Sequence, residues 1–178
     1  MDYCTAYVGG KMNMKIKASI AFLGLVALGL APAAMADSTT KLTGVHNCCK
    51  SCTKSIDGTV TKAGAKAVIE KDTVTITAAD EAGVKKAVSA LADAGYFAAG
   101  MEAGPALSDV KAKSITVEGP HLCCPKCVDG FNKAAKGAKG VTGTDAKKGA
   151  TAVVVEGDVS PKELMDALHA AGFNAKVK

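Results

Sequence analysis

The residues best suited to chemistry fall in two short words. HNCCKSC occupies residues 46–52 and HLCCPKC residues 121–127, and together they hold six of the chain's seven cysteines and two of its three histidines. Each word offers three thiols and one imidazole within seven residues, a donor set that suits a soft transition metal far better than hydrocarbon packing. The CxxC pairs, Cys49 with Cys52 and Cys124 with Cys127, are the main expected ligands. Cys48, Cys123, His46 and His121 are additional candidate donors that would raise the coordination to three or four and bring Zn(II) within range. The words recur 75 residues apart, the period of a small domain, so the chain reads as one metal-loop module used twice.

Each loop needs a frame. A strand is expected at residues 40–45, leading into the first word, and another around Ile115 and Val117, leading into the second. Beyond the loops, Cys52, Ile56 and Val60, and likewise Cys127 and Phe131, recur four apart, as on a helix with one buried face. That places Cys49 and Cys124 at a helix mouth, where unpaired N–H groups and the positive dipole end favour a thiolate, with Lys50 and Lys126 adding positive charge. Strands are expected at 67–70 and 73–77 in the first repeat and at 141–144 and 151–156 in the second. Second helices follow, striped by Val84, Val88 and Leu91 and by Leu164, Leu168 and Ala171. The latter opens on a Ser160 cap, Pro161 and Glu163. Both end in a glycine and an aromatic, Gly95-Tyr96 and Gly172-Phe173, offset by 77, so two extra residues are expected near 147–149. Final strands are expected near 98–101 and 175–178, with 102–113 as linker.

The resulting α+β order, strand-helix-strand-strand-helix-strand twice over, with a CxxC loop before each first helix, resembles tandem heavy-metal-associated domains. These are the ferredoxin-like βαββαβ modules of copper chaperones, metal-pumping ATPases and periplasmic mercury-binding proteins. The resemblance covers residues 38–101 and 114–178. It implies Cu(I) or Hg(II) as the ion; with the extra donors Zn(II) is within range, Cd(II) is a further alternative, and Cu(I) is favoured, with up to one ion per repeat. It also implies a metal transporter or acceptor protein as partner, and no enzymatic activity. In the family the Gly-aromatic corner packs near the metal loop, and a methionine packs beneath it. Here Asn47 and Leu122 stand in the methionine's place, and Leu122 is the better apolar plug.

Composition narrows the classes. All 22 basic residues are lysine and the formal charge is only +5, which argues against nucleic-acid recognition, where guanidinium forks do most of the reading. Residues 14–36 have a basic start at Lys15 and Lys17, an apolar run from 18 to 30 and an A-x-A end, the pattern of a cleavable signal peptide cut after Ala36. Thirteen apolar residues fall short of the roughly 20 that span a bilayer. The mature chain is therefore expected to be periplasmic or secreted and free of the membrane, with residues 1–13 preceding a true start at Met14 or extending the leader. An exposed, exchangeable loop that carries or scavenges metal is the leading expectation. Its rival is a thiol-disulfide protein using the same CxxC pairs. His169 is expected at the surface, and Tyr96 and Phe173 as core fillers.

Overall fold

The computed structural model describes residues 37–178, and the expected signal peptide and Cys4 lie outside them. Eleven elements follow one another: β1 (Ser38–Leu42), α1 (Lys50–Lys62), β2 (Lys66–Glu70), β3 (Thr73–Ala78), α2 (Glu81–Asp93), β4 (Ala112–Glu118), α3 (Pro125–Gly137), β5 (Val141–Thr144), β6 (Ala152–Val159), α4 (Pro161–Ala170) and β7 (Lys176–Val177). The class is α+β. Two antiparallel sheets, ordered β1-β3-β2 and β5-β6-β4-β7, each carry two of the helices.

The first sheet is built on β3, where buried Val74, Ile76 and Ala78 alternate with half-buried threonines, as a strand with one covered face requires. Leu42 on β1 lies opposite Val74, and β2 joins β3 through a tight turn at Lys71, whose φ of 55° is left-handed. Ile56 and Val60 of α1, with Val84, Ala87 and Leu91 of α2, close the core over this face, while Cys52 packs into the core of the other half. Ala87, rather than the expected Val88, completes the α2 stripe; Val88 sits half-buried beside it.

The second sheet turns Ile115, Val117, Val153 and Val155 toward Cys127, Phe131 and Ala135 of α3 and Leu164, Met165 and Leu168 of α4. Ser160 caps α4 by accepting from the Glu163 N–H at 3.0 Å, as its sequence predicts. In this half the closing strand β7 pairs beside β4. The counterpart expected at 98–101 is reduced to a single bridge, Thr43 with Ala99. A turn ends it: Gly100 has φ 96° and the Met101 N–H folds back onto the Ala98 carbonyl. Among the described residues no helix is long and apolar enough to cross a membrane.

Candidate metal centre

The expected helix-mouth geometry is present at both loops. Cys49 and Cys124 are the N-cap residues of α1 and α3, in extended backbone, while Cys52 and Cys127 lie in the first turn and are wholly buried. Neither cap cysteine's side chain accepts a capping hydrogen bond of the usual kind, and the thiol responds instead through its acidity. The Cys52 backbone N–H, followed by the Cys52 thiol, brings Cys49 down to about 6. At Cys124 desolvation pulls upward, but the Cys127 backbone N–H and the Cys127 and Cys48 thiols outweigh it and the thiol is also more acidic than usual. Cys48, Cys123 and Cys127 move the other way: burial pushes Cys48 and Cys123 up to about 12, and Cys127 further. Each loop thus sets one thiol that is more acidic than usual beside at least one that holds its proton more tightly, and a bound cation would replace that proton.

The loops do not stand apart. Cys48 Sγ lies 3.6 Å from both Cys124 Sγ and Cys127 Sγ, Cys49 Sγ lies 3.8 Å from Cys124 Sγ, and Cys52 Sγ lies 3.7 Å from Cys123 Sγ and 3.6 Å from Cys127 Sγ. Within the loops the CxxC sulfurs are 3.7 and 3.4 Å apart. All six are free thiols. The exposed loops expected from the sequence are therefore corrected: Cys48, Cys49, Cys123 and Cys124 are half-buried, because each loop is covered by the other.

The Gly-aromatic corners hold this arrangement, and they do so across the two halves. Tyr96 bridges to Phe173, the Phe97 N–H donates to the Gly172 carbonyl at 3.0 Å, and the Asn174 N–H donates to the Gly95 carbonyl at 2.9 Å. Tyr96 stacks on His121 with centroids 4.3 Å apart, and Phe173 on His46 at 4.2 Å, so each aromatic meets the histidine of the opposite loop. Close approach demands the glycines. A Cβ on Gly95 would lie 2.3 Å from the Gly119 carbonyl oxygen and 2.4 Å from the His121 nitrogen. One on Gly172 would lie 2.4 Å from the His46 nitrogen. His169, expected at the surface, is half-buried and lies flat on Phe97 with centroids 3.7 Å apart, while its Nε2 pairs with the Asn174 carboxamide oxygen. It belongs to the seam.

Both candidate histidines border the sulfurs. His121 groups with Cys52, Cys123 and Cys127, and His46 with Cys48 and Cys127, each set having one ligand atom per residue within 4.8 Å of the others. Desolvation, then the charge of His46, lowers His121 to about 4, and desolvation lowers His46, so burial favours at both rings the neutral form that ligates metal. His121 Nε2 is engaged by the Tyr96 hydroxyl at 2.8 Å, whereas His46 Nε2 is buried without a hydrogen-bond partner. Beneath the loops, Leu122 is the buried plug foreseen for the second repeat. Asn47 works differently, donating to the Lys71 carbonyl at 2.7 Å and accepting from the Thr53 hydroxyl at 3.0 Å. The structure brings together all six cysteines and both histidines that the sequence singles out. Sequence reasoning missed the cross-seam partners Gly95, Gly172 and Asn174, whose only written signal is the repeated Gly-aromatic corner.

Two solved structures are similar to the chain. One, described as "Crosstalk between Cu(I) and Zn(II) homeostasis", is 28% identical, with 38% of this chain and 100% of that chain covered and a TM-score of 0.32. The other, the N-terminal soluble domains of Bacillus subtilis CopA in solution, is 18% identical, with 81% of this chain and 95% of that chain covered and a TM-score of 0.31. No family model and no curated protein matches the chain.

Proposed function

We propose that this chain is an exported soft-metal-binding protein, a carrier or scavenger that holds its cargo on two HxCCxxC loops and performs no catalysis. In this reading residues 1–36 are a leader, 38–101 and 114–178 are tandem heavy-metal-associated domains of ferredoxin-like βαββαβ form, and 102–113 link them. Cys49, Cys52, Cys124 and Cys127 are the main ligands, and Cys48, Cys123, His46 and His121 are the additional donors. Cu(I) is the favoured ion, with Zn(II), Hg(II) and Cd(II) as competitors, and a metal transporter or acceptor protein is the partner.

The observation that carries this reading is the convergence of six free thiols at two helix mouths, bordered by two neutral imidazoles, one with an unpartnered buried nitrogen. Soft donors packed this closely, with the His46 Nε2 buried and unpartnered beside them, fit a soft cation. Equilibrium dialysis of the reduced chain followed by elemental analysis should find bound Cu(I). Replacing Cys49 and Cys52 by serine should remove at least half of it, and retention of the full content would refute the site.

One observation favours the redox alternative: Cys49, at about 6, is acidic enough to be a thiolate at neutral pH, as an attacking thiol must be. An insulin-reduction assay separates the two readings, since a carrier leaves insulin intact.

A further inference from the structure

The sulfur positions say more than that metal binds. Besides the separations given above, Cys48 Sγ and Cys123 Sγ each lie 3.7 Å from the last cysteine of their own loop, so nine sulfur-sulfur distances fall between 3.4 and 3.8 Å. Cys48–Cys49, Cys49–Cys123 and Cys123–Cys124 lie within 4.8 Å. The pairs that remain, Cys48–Cys123, Cys49–Cys127 and Cys52–Cys124, use each sulfur once. Six points arranged in this way, each with one opposite and four neighbours, are the corners of a distorted octahedron whose faces are sulfur triangles.

Triangles of this size select a coordination geometry. Three faces, Cys48–Cys52–Cys127, Cys48–Cys124–Cys127 and Cys52–Cys123–Cys127, have every edge between 3.4 and 3.7 Å, and an ion centred in one sits about 2.0–2.1 Å from each sulfur, so that a slight shift off the plane gives the roughly 2.3 Å of a metal-thiolate bond. Linear two-coordination by one CxxC pair needs sulfurs about 4.6 Å apart at that bond length, well beyond the 3.7 Å of Cys49–Cys52 and the 3.4 Å of Cys124–Cys127. Two Zn(II) ions on six thiolates would form tetrahedra sharing an edge, with two bridging sulfurs each beside all five others. The arrangement of opposites here offers no such pair. Crowding six thiolates also needs several cations to offset their repulsion in a half-buried site.

The geometry points to a single polynuclear Cu(I)-thiolate cluster across the seam, made by all six cysteines of both halves, with three-coordinate ions on the triangular faces and every thiolate bridging two of them. Six doubly bridging thiolates make twelve bonds, which three-coordinate ions share as about four per chain. Each thiol gives up its proton to solvent on loading, and no electron moves. Cys48 and Cys123 become essential corners rather than optional donors. This rests on the soft-metal reading above, but replaces two separate pincers by one shared site.

The test is anaerobic titration of the reduced full chain with Cu(I), supplied as its acetonitrile complex, followed by native mass spectrometry and X-ray absorption at the copper edge. The expected result is a cooperative passage from the empty chain to a species with about four coppers, few intermediates, and a short copper-copper vector. Stepwise filling that ends at one or two coppers without that vector would overturn the cluster while leaving soft-metal binding intact. No copper bound would sink both. Cys48→Ser and Cys123→Ser give an independent arm, with folding checked by circular dichroism. Loss of the four-copper species in either supports the shared site, and unchanged loading in both refutes it. In a parallel zinc titration, two Zn(II) bound so tightly that Cu(I) fails to displace them would also count against it.

Discussion

The two halves solve the same problem, holding a cysteine loop at the mouth of a helix, by different means. The first anchors its loop with polar groups: the Asn47 side chain reaches the Lys71 carbonyl, and the Val45 N–H reaches the Asp72 carbonyl at 2.9 Å, so the β2–β3 turn grips the loop. The second anchors its loop by burial of Leu122, whose carbonyl also accepts from the Gly149 N–H at 2.7 Å. The first sheet stops at three strands and the second has four. Support lost at the first half's missing edge is supplied by the other half, through Gly172, Phe173 and Asn174. The lesson is that similar sequence words can share a geometry without sharing its supports, and that here the seam makes up the difference.

The sharpest way to break the comparison is at the glycines. Gly95→Ala and Gly172→Ala should each cost about 3 kcal/mol or more in urea unfolding, since left-handed backbone strain adds to a backbone clash across the seam. Gly44→Ala, at φ 80° but with open space around its Cβ, should cost only about 1–2 kcal/mol. Equal losses at all three would mean that close approach across the seam contributes nothing.

Next comes the pair of plugs. Leu122→Ala should destabilise by about 2–4 kcal/mol through the cavity it leaves. Asn47→Ala should cost about 1–2 kcal/mol, because its partners lie near solvent that can replace it. Thermal unfolding of both variants checks the order, and a larger loss at Asn47 would reverse the picture of the two anchors.

Smaller again is the effect of the seam's polar contact. Tyr96→Phe keeps the ring on His121 but removes the 2.8 Å hydroxyl contact, so about 1 kcal/mol should be lost. Phe173 is stacked on His46 in the same way but has no hydroxyl, and His46 Nε2 is without a partner, so Phe173→Tyr should bring a gain of up to about 1 kcal/mol.

The weakest expected effect is on pH dependence. Desolvation lowers His169 in the folded chain, so the unfolded chain binds the proton more readily. Its contribution to stability is complete above the unfolded value near 6.5 and declines as the pH falls below it. Comparing the acid limbs of wild type and His169→Gln should show a shallower slope in the variant just below that pH.

Much of this was legible in the sequence, for physical reasons. The periods of four through Cys52, Ile56 and Val60 and of two through Val74 and Ile76 are direct consequences of burying one face of a helix or strand, so those elements could be read from spacing. The Ser160 cap was legible because its chemistry is local. What could not be read was whatever depends on the other half: that His169 is covered, that residues 98–101 fall short of a strand, and that the six sulfurs meet. Spacing along a chain records which face of an element is buried, not what buries it. Asn47 illustrates the same limit, since an amide at a plug position reads as a defect until its partner turn is seen.

The bridge between Tyr96 and Phe173 has a kinetic consequence. Cys52 and Cys127 have no solvent contact, and the seam that this bridge holds shut keeps each loop against the other. Under the proposed carrier function, dwell time of the cargo would follow how often this latch springs open, and an acceptor that wedges between the corners would hasten delivery without binding the ion more tightly.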